Sequence, residues 1–297
     1  MRMHVHTLDL HFLGKPGLIA AYLVESGGEY ALIETGPGST LETLRTAIRD
    51  AGVDESVIKK IFVTHIHLDH SGVAGWWAQI GATIHCHPNA ARHLIDPSKL
   101  IESARLVYGS QMDALWGAVL PAPAGLVIPL QDGERVKLGE VEITAWDTPG
   151  HARHHHAFVI GDVCFTGDVA GMRLEHSGYL SVTAAPPQFD PVAYVKSVER
   201  LSAGDFKALY LTHFGVVEDV AWHLTHYRQR VMEVHARVAA DFAAGTSAAE
   251  NRQRYAQDEH EAAMRAGVGE ELWQRCEQTN ITSMCADGVR WYCERGR

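Results

Sequence analysis

Several common signatures are missing from this sequence. The five cysteines are widely spaced and form no C-x-x-C pair, which argues against both a disulfide framework and a zinc knuckle. Basic residues number 26 against 36 acidic ones, and the net charge of -10 argues against a nucleic-acid partner, because phosphate binding needs a concentrated basic face. No apolar stretch is long enough to cross a bilayer, and the N-terminal residues lack the apolar run of a signal peptide. We therefore expect a cytoplasmic protein without a nucleic-acid or membrane partner.

What the sequence does contain is an alternation of strand and helix signals. Strands are predicted for the apolar segments at 19–24, 30–33, 57–63 and 82–86. Helical spacing occurs between those strands, at 41–51 and 73–80. Further strand signals recur from residue 126 to residue 212, interrupted by one helical segment. This order predicts a layered α/β fold.

Two segments depart from this alternation. A long helical pattern at 98–119, broken at Gly109, looks like an insertion over the main scaffold. After residue 217 no strand signal remains, and polar residues are interspersed with periodic apolar ones, which predicts several packed helices. We therefore predict a main domain at residues 1–216, with a helical insertion at about 98–119, and a helical C-terminal extension at 217–297.

One segment concentrates side chains that bind metals: Thr64-His65-Ile66-His67-Leu68-Asp69-His70-Ser71-Gly72. It begins where a predicted strand ends, which is the place where open α/β sheets collect their ligands. His65 and His67 are two residues apart, so in an extended segment both rings point the same way. Asp69 and His70 follow where the chain bends toward a helix. A metal ion removes the cost of holding these groups together, and the set suits zinc, with manganese or iron as alternatives.

Three more residues of the same kind follow later predicted strands. They are His151 in Thr148-Pro149-Gly150-His151, Asp168 in Thr166-Gly167-Asp168, and His213 in Thr212-His213-Phe214-Gly215. Each comes after an apolar strand and near a glycine. A polar loop with a chance histidine cluster does not explain this repeated placement, so we predict that all seven residues are metal ligands.

The sequence resembles the metallo-β-lactamase-fold hydrolase superfamily, and within it the branch of glyoxalase II and lactonases. The resemblance covers roughly residues 5–215 and depends on the H-x-H-x-D-H signature with its three downstream ligands in order. It implies an αββα sandwich of two mixed β-sheets flanked by helices, here followed by the helical C-terminal extension, with residues 1–216 as the catalytic domain. It also implies how two divalent metal ions are held. One ion would take His65, His67 and His151, the other would take Asp69, His70 and His213, and Asp168 would bridge both.

The chemistry implied by such a site is hydrolysis by a metal-bridging hydroxide. Two divalent ions bring four positive charges, and Asp69, Asp168 and the hydroxide leave about one, which favours a hydroxide near neutral pH. Asp69 is the predicted catalytic residue, since it can orient the nucleophile and pass its proton to the leaving group. We expect a small-molecule substrate with an ester, thioester or lactone bond.

The alternative from another class is a sulfur (persulfide) dioxygenase with one iron on the same scaffold. A flavodiiron protein is less expected, because those proteins usually replace the second histidine, here His67, with glutamate. A purely structural metal protein is also disfavoured, because structural zinc sites are closed and usually four-coordinate.

Other polar residues are open to more than one interpretation. The family usually has aspartate where this chain has Glu34, in Ile33-Glu34-Thr35-Gly36. The Glu34 side chain is one methylene longer than aspartate and is expected to orient the ligands. His176 is a candidate substrate contact; no other substrate-binding residue is predicted. His85 and His87 share a predicted strand and are expected to be structural. No role is assigned to the run at 154–156, although one of its histidines could hydrogen-bond to a ligand. The sequence also leaves a homo-oligomer open.

Overall fold

The computed structural model describes residues 3–296 and divides the chain into two compact units. The first unit holds the chain up to Asp147 together with His156–Phe165. The second unit holds Thr148–His155 and the chain from Thr166 onward. The predicted metal ligands fall into both units, four in the first and three in the second.

The first unit contains a six-stranded mixed sheet in the order β1-β2-β3-β4-β5-β6. Its strands are β1 (Met3–Asp9), β2 (Ala20–Ser26), β3 (Glu29–Ile33), β4 (Ile58–Phe62), β5 (Thr83–Cys86) and β6 (Val127–Pro129). The first three pair antiparallel, whereas β3 to β6 pair parallel. The carboxyl end of the parallel strand β4 therefore leads directly into the segment that contains the histidine cluster, as the sequence predicted.

Four further strands begin in the first unit and neighbour one another in the order β10-β9-β8-β7. They are β7 (Arg135–Leu138), β8 (Val141–Asp147), β9 (His156–Ile160) and β10 (Val163–Gly167), and they pair antiparallel. The helices of this unit are α1 (Leu41–Asp50), α2 (Leu68–Ser71), α3 (Ala74–Gln79), α4 (Pro88–Ile95), α5 (Ser98–Tyr108) and α6 (Met112–Trp116). The last two helices occupy the segment predicted as a helical insertion.

The described part of the second unit contains the end of β10, two short strands and five α-helices. The strands β11 (Ala208–Leu211) and β12 (Gly215–Val217) pair antiparallel, and the order at this edge is β12-β11-β10. The helices are α7 (Pro191–Ser202), α8 (Val220–Ala243), α9 (Ala248–Arg265), α10 (Glu270–Thr279) and α11 (Thr282–Arg295). Proline in the first turn of α7 and the Asp190 carboxylate, which accepts two backbone N–H bonds there, define where that helix begins.

Among residues 3–296, the sequence did not predict β1, α2, α4, β12 or the short 3-10 helices. Among residues 3–296, no helix combines the length and the apolar character needed to cross a bilayer. The predicted helices after residue 217 are present as α8 to α11. The domain boundary at residue 216, the cytoplasmic location and the homo-oligomer stay predictions.

Candidate metal centre

The structure brings the four predicted ligands of the first unit together. The chain is extended at His67, and α2 begins with the next residue, so that His65 and His67 precede the helix while Asp69 and His70 lie within it. His65 Nε2 lies 2.9 Å from His67 Nδ1, and the rings of His65 and His70 are 4.0 Å apart between centroids. Asp69 Oδ2 lies 3.5 Å from His70 Nε2. Four predicted ligand side chains thus converge at the point where strand changes to helix.

Burial divides this group into an inner and an outer pair. His65 and His70 are fully buried, whereas His67 and Asp69 are partly exposed. The Asp69 side chain keeps 19% of its accessible surface. Solvent therefore reaches the carboxylate that we predict to handle protons, while the inner imidazoles are shielded from water.

Glu34 controls the orientation of the inner pair. Its backbone has a φ of 65°, a left-handed conformation that costs a non-glycine residue about 1–2 kcal/mol, and its side chain is buried. Glu34 Oε1 accepts a 2.9 Å hydrogen bond from His70 Nδ1 and a 2.6 Å bond from the Thr64 hydroxyl. Because the Thr64 proton points to Glu34, the Thr64 oxygen accepts from His65 Nδ1 at 3.1 Å. One carboxylate thereby places the proton on Nδ1 and the lone pair on Nε2 in both rings.

The second unit brings its three predicted ligands together around Asp168. Asp168 Oδ2 lies 3.4 Å from His151 Nε2, and Oδ1 lies 3.4 Å from His213 Nε2. All three side chains are buried. Each oxygen of one carboxylate therefore faces a different imidazole, which is the arrangement that a bridging ligand requires.

Neighbouring groups fix the positions of these ligands. His151 Nδ1 donates a 3.0 Å hydrogen bond to the Thr183 carbonyl, which places the lone pair on Nε2. Gly150, the residue before it, has a φ of 138°, and a Cβ there would lie 2.3 Å from the Tyr194 Cα, so a larger residue does not fit. His151 is thus held at both its ring and its backbone.

Asp168 is held through its main chain. Its carbonyl accepts hydrogen bonds from the hydroxyls of Thr183 and Tyr194, and the Tyr194 hydroxyl lies 2.7 Å from that of Tyr227 on α8. Burial raises the pKa of both tyrosines well above the ordinary value, so both remain protonated. The Asp168 N–H donates to His155 Nε2 at 3.1 Å, so at least one histidine of the run at 154–156 hydrogen-bonds to a predicted ligand.

His176, the predicted substrate contact, is exposed in a one-turn 3-10 helix, Leu174–His176. Its backbone carbonyl accepts a bond from Arg173, and its substrate role stays a prediction. Sequence reasoning missed Thr64, Thr183 and the two tyrosines. Thr64 precedes the histidine signature, which was a usable signal, but the other three contact the ligands only through the fold.

The spacing of the ligand atoms fits a divalent ion. The three carboxylate–imidazole pairs are separated by 3.4–3.5 Å, which is longer than an ordinary N–H···O bond of about 2.7–3.2 Å. Zinc binds imidazole nitrogen and carboxylate oxygen at about 2.0–2.2 Å, so two ligands of one tetrahedral ion lie about 3.3–3.5 Å apart. The donor types and their spacing therefore suit zinc-like ions in both units.

Comparison with known proteins bears on both fold and family. The sequence model of the metallo-beta-lactamase superfamily matches residues 14–213. The metallo-beta-lactamase fold-containing protein ST1585 of Sulfurisphaera tokodaii is 29% identical over 184 residues, which cover 58% of this chain and 69% of that protein. The hydroxyacylglutathione hydrolase of Hahella chejuensis is 25% identical over 124 residues, covering 42% of this chain but only 34% of that protein.

Solved structures show the same fold. The crystal structure of ST1585 from Sulfolobus tokodaii matches with a TM-score of 0.64 and 25% identity, covering 76% of this chain and 85% of that chain. The metallo-beta-lactamase family protein TTHA1429 from Thermus thermophilus matches with a TM-score of 0.68 and 18% identity, covering 99% of this chain and 93% of that chain. The predicted fold, two mixed sheets flanked by helices with C-terminal helices beyond them, is confirmed.

Proposed function

We propose that this chain, which belongs to the metallo-beta-lactamase superfamily, is a dinuclear metal-dependent hydrolase that cleaves an ester, thioester or lactone bond of a small molecule. The observation that carries the proposal is the position of Asp168, whose two oxygens each face a different histidine at 3.4 Å. A carboxylate placed in this way suits two ions better than one.

The proposed ligand sets follow the order of the superfamily's motif. One ion would be held by His65, His67 and His151, the other by Asp69, His70 and His213, and Asp168 would be shared by both. The hydrogen bonds made by the Nδ1 atoms of His65, His70 and His151 support this assignment, because each leaves its Nε2 lone pair for a metal. We take both ions to be zinc, with manganese or iron as the alternatives.

Two divalent ions bound there would lower the pKa of water and polarise a substrate carbonyl. The residues of the chain supply the remaining steps. Asp69, the partly exposed carboxylate, orients the attacking water and carries its proton to the leaving group. Glu34 and Thr64 keep the inner imidazoles in the tautomer that binds metal.

The choice of bond is supported more weakly. The match to a hydroxyacylglutathione hydrolase favours an acyl substrate, but it covers a third of that protein. We therefore propose to test the substrates of the glyoxalase II and lactonase branch first.

Elemental analysis of the purified chain, followed by an activity panel of thioesters, lactones, esters and phosphodiesters, tests the proposal. We expect two zinc-like ions per chain and turnover of a member of the acyl panel that is lost on chelation and restored by metal. One iron per chain, with oxygen uptake on a persulfide, would identify the sulfur dioxygenase instead. Two ions with turnover of phosphodiesters alone would keep the metal assignment and overturn the substrate class.

A further inference from the structure

We propose a separate metal-binding site in the first unit, formed by His87, Asp147 and His156. None of the three is among the seven ligands of the proposed centre. One nitrogen or oxygen atom from each lies within 4.8 Å of the other two. The site would take a single zinc-like transition-metal ion, because two imidazoles and one carboxylate form a ligand set that zinc binds in proteins.

The sheet places two of these ligands side by side. Asp147 is the last residue of β8 and His156 is the first residue of β9, and the two are direct partners in the antiparallel register. Side chains of directly opposite residues project from the same face of a sheet with their Cβ atoms about 4.5–5.5 Å apart. This pairing is fixed by the backbone and does not depend on a flexible loop.

The third ligand comes from the carboxyl end of β5. His87 directly follows that strand and is the residue before α4. Its Nε2 lies 3.4 Å from Asp147 Oδ1, and its ring centroid lies 4.6 Å from that of His156. The carboxylate–imidazole separation equals the two found around Asp168, and it fits two ligands of one tetrahedral ion.

Burial leaves an entry route for the ion. His87 and His156 are buried, whereas the Asp147 side chain keeps 41% of its accessible surface. An ion can therefore reach the two shielded imidazoles past the exposed carboxylate. Three protein ligands also leave a coordination position for water, as in zinc sites that are not closed.

A hydrogen bond that His87 makes at the start of α4 competes with metal binding and lowers the metal affinity of the site. Its Nδ1 accepts a 3.0 Å hydrogen bond from the Asn89 N–H at the first turn of α4, so without metal the ring proton is on Nε2, toward Asp147. An ion on Nε2 displaces that proton to Nδ1, and the bond to Asn89 is given up. We therefore expect this ion to bind more weakly than those of the proposed centre and to leave first.

Zinc titration of the full chain tests the site. The chain is stripped with a chelator, dialysed against buffered zinc at rising free concentration, and assayed for bound zinc by elemental analysis. We expect the wild type to bind one zinc more than Asp147→Asn and His156→Gln at saturation, with the missing ion being the weakest one. Asp147→Asn changes a partly exposed side chain without changing its size, so this variant should fold. It keeps the test usable even if His156→Gln does not fold.

His85→Gln is the matched control. His85 lies on β5 two residues before His87, its ring stacks on Phe62 rather than on His156, and it should keep the extra zinc. The proposal would be overturned if both site variants bound as much zinc as the wild type. It would also be overturned if the variants lost a tightly bound zinc and kept the weakly bound one. The test compares variants with wild type, so a one-ion difference would appear even if the seven predicted ligands of the proposed centre held no zinc.

Discussion

The two groups of predicted ligands differ in how the chain assembles them and in what holds them. In the first unit, four ligands come from six consecutive residues, His65 to His70, and a buried carboxylate orients two of them. In the second unit, three predicted ligands come from three separate loops, and neutral groups hold two of them, His151 and Asp168. These groups are a backbone carbonyl, a threonine, two tyrosines and a histidine ring. A charged hydrogen-bond acceptor contributes more than a neutral one, so changes around the first group should have the larger effects.

The largest effect is expected from Asp69→Asn. The amide keeps the size of the side chain but cannot take a proton from the attacking water, so kcat should fall by about 10²- to 10⁴-fold. Steady-state kinetics on the substrate found in the acyl panel measures this, and circular dichroism checks that the fold is kept. Asp113→Asn, at an exposed carboxylate of α6, is the control. Turnover near the wild-type value would remove Asp69 from the proposed chemistry.

The two units can also be compared by their acid stability. Each contains a buried histidine, His85 in the first and His223 in the second, whose pKa burial lowers to about 4. Between about pH 6.5 and pH 4 the unfolded chain therefore binds more protons than the folded one, and stability falls as the pH falls through this window. The full effect is about 3 kcal/mol for each group.

Urea unfolding at pH 7 and pH 4.5 measures that loss. His223 Nε2 donates a 2.8 Å bond to the Ala170 carbonyl, and glutamine can also donate there. His223→Gln should therefore reduce the loss of stability between the two pH values while His85 keeps its own share. An unchanged loss in this variant would show that His223 does not titrate as its burial implies.

The contrast between the two groups also explains what the sequence could reveal. The seven predicted ligands were assigned because they follow apolar strands, and β4, β8, β10 and β11 are present where those strands were expected. The ligand roles themselves stay predictions. The groups that hold Asp168 were not predictable, because they are distant in the sequence. Thr183, which bonds to Asp168 directly, is 15 residues away, and Tyr227, which contacts it through Tyr194, is 59 residues away.

The missed elements have local reasons. The strand β12 has only three residues, too few for a period of two to be visible. The helix α4 did carry a signal, because Pro88 stands in its first turn, but two histidines nearby suggested that the strand continued. Short elements and polar contacts between residues distant in the sequence are thus the features that could not be predicted from the amino-acid pattern.

A smaller effect is expected from Glu34→Gln. Glutamine can still accept a hydrogen bond from His70, but without the negative charge it stabilises the Nδ1–H tautomer less, so zinc affinity should fall by about 10- to 100-fold. Competition with a chelating dye measures the affinity. Glu29→Gln, an exposed carboxylate on β3, is the control. Equal affinity in the two variants would mean that the charge of Glu34 is not what holds the first group.

The smallest effect is expected in the second group, from Tyr227→Phe. This change removes only the hydroxyl that lies 2.7 Å from the Tyr194 hydroxyl, while Tyr194 and Thr183 still donate to the Asp168 carbonyl. One neutral hydrogen bond contributes about 1 kcal/mol, so zinc affinity should fall by about fivefold. Tyr255→Phe is the control, because Tyr255 is also a buried tyrosine of the C-terminal helices but lies on α9. If Tyr227→Phe lowered the zinc affinity as much as Glu34→Gln does, charged and neutral hydrogen-bond partners of the ligands would not differ in their effect.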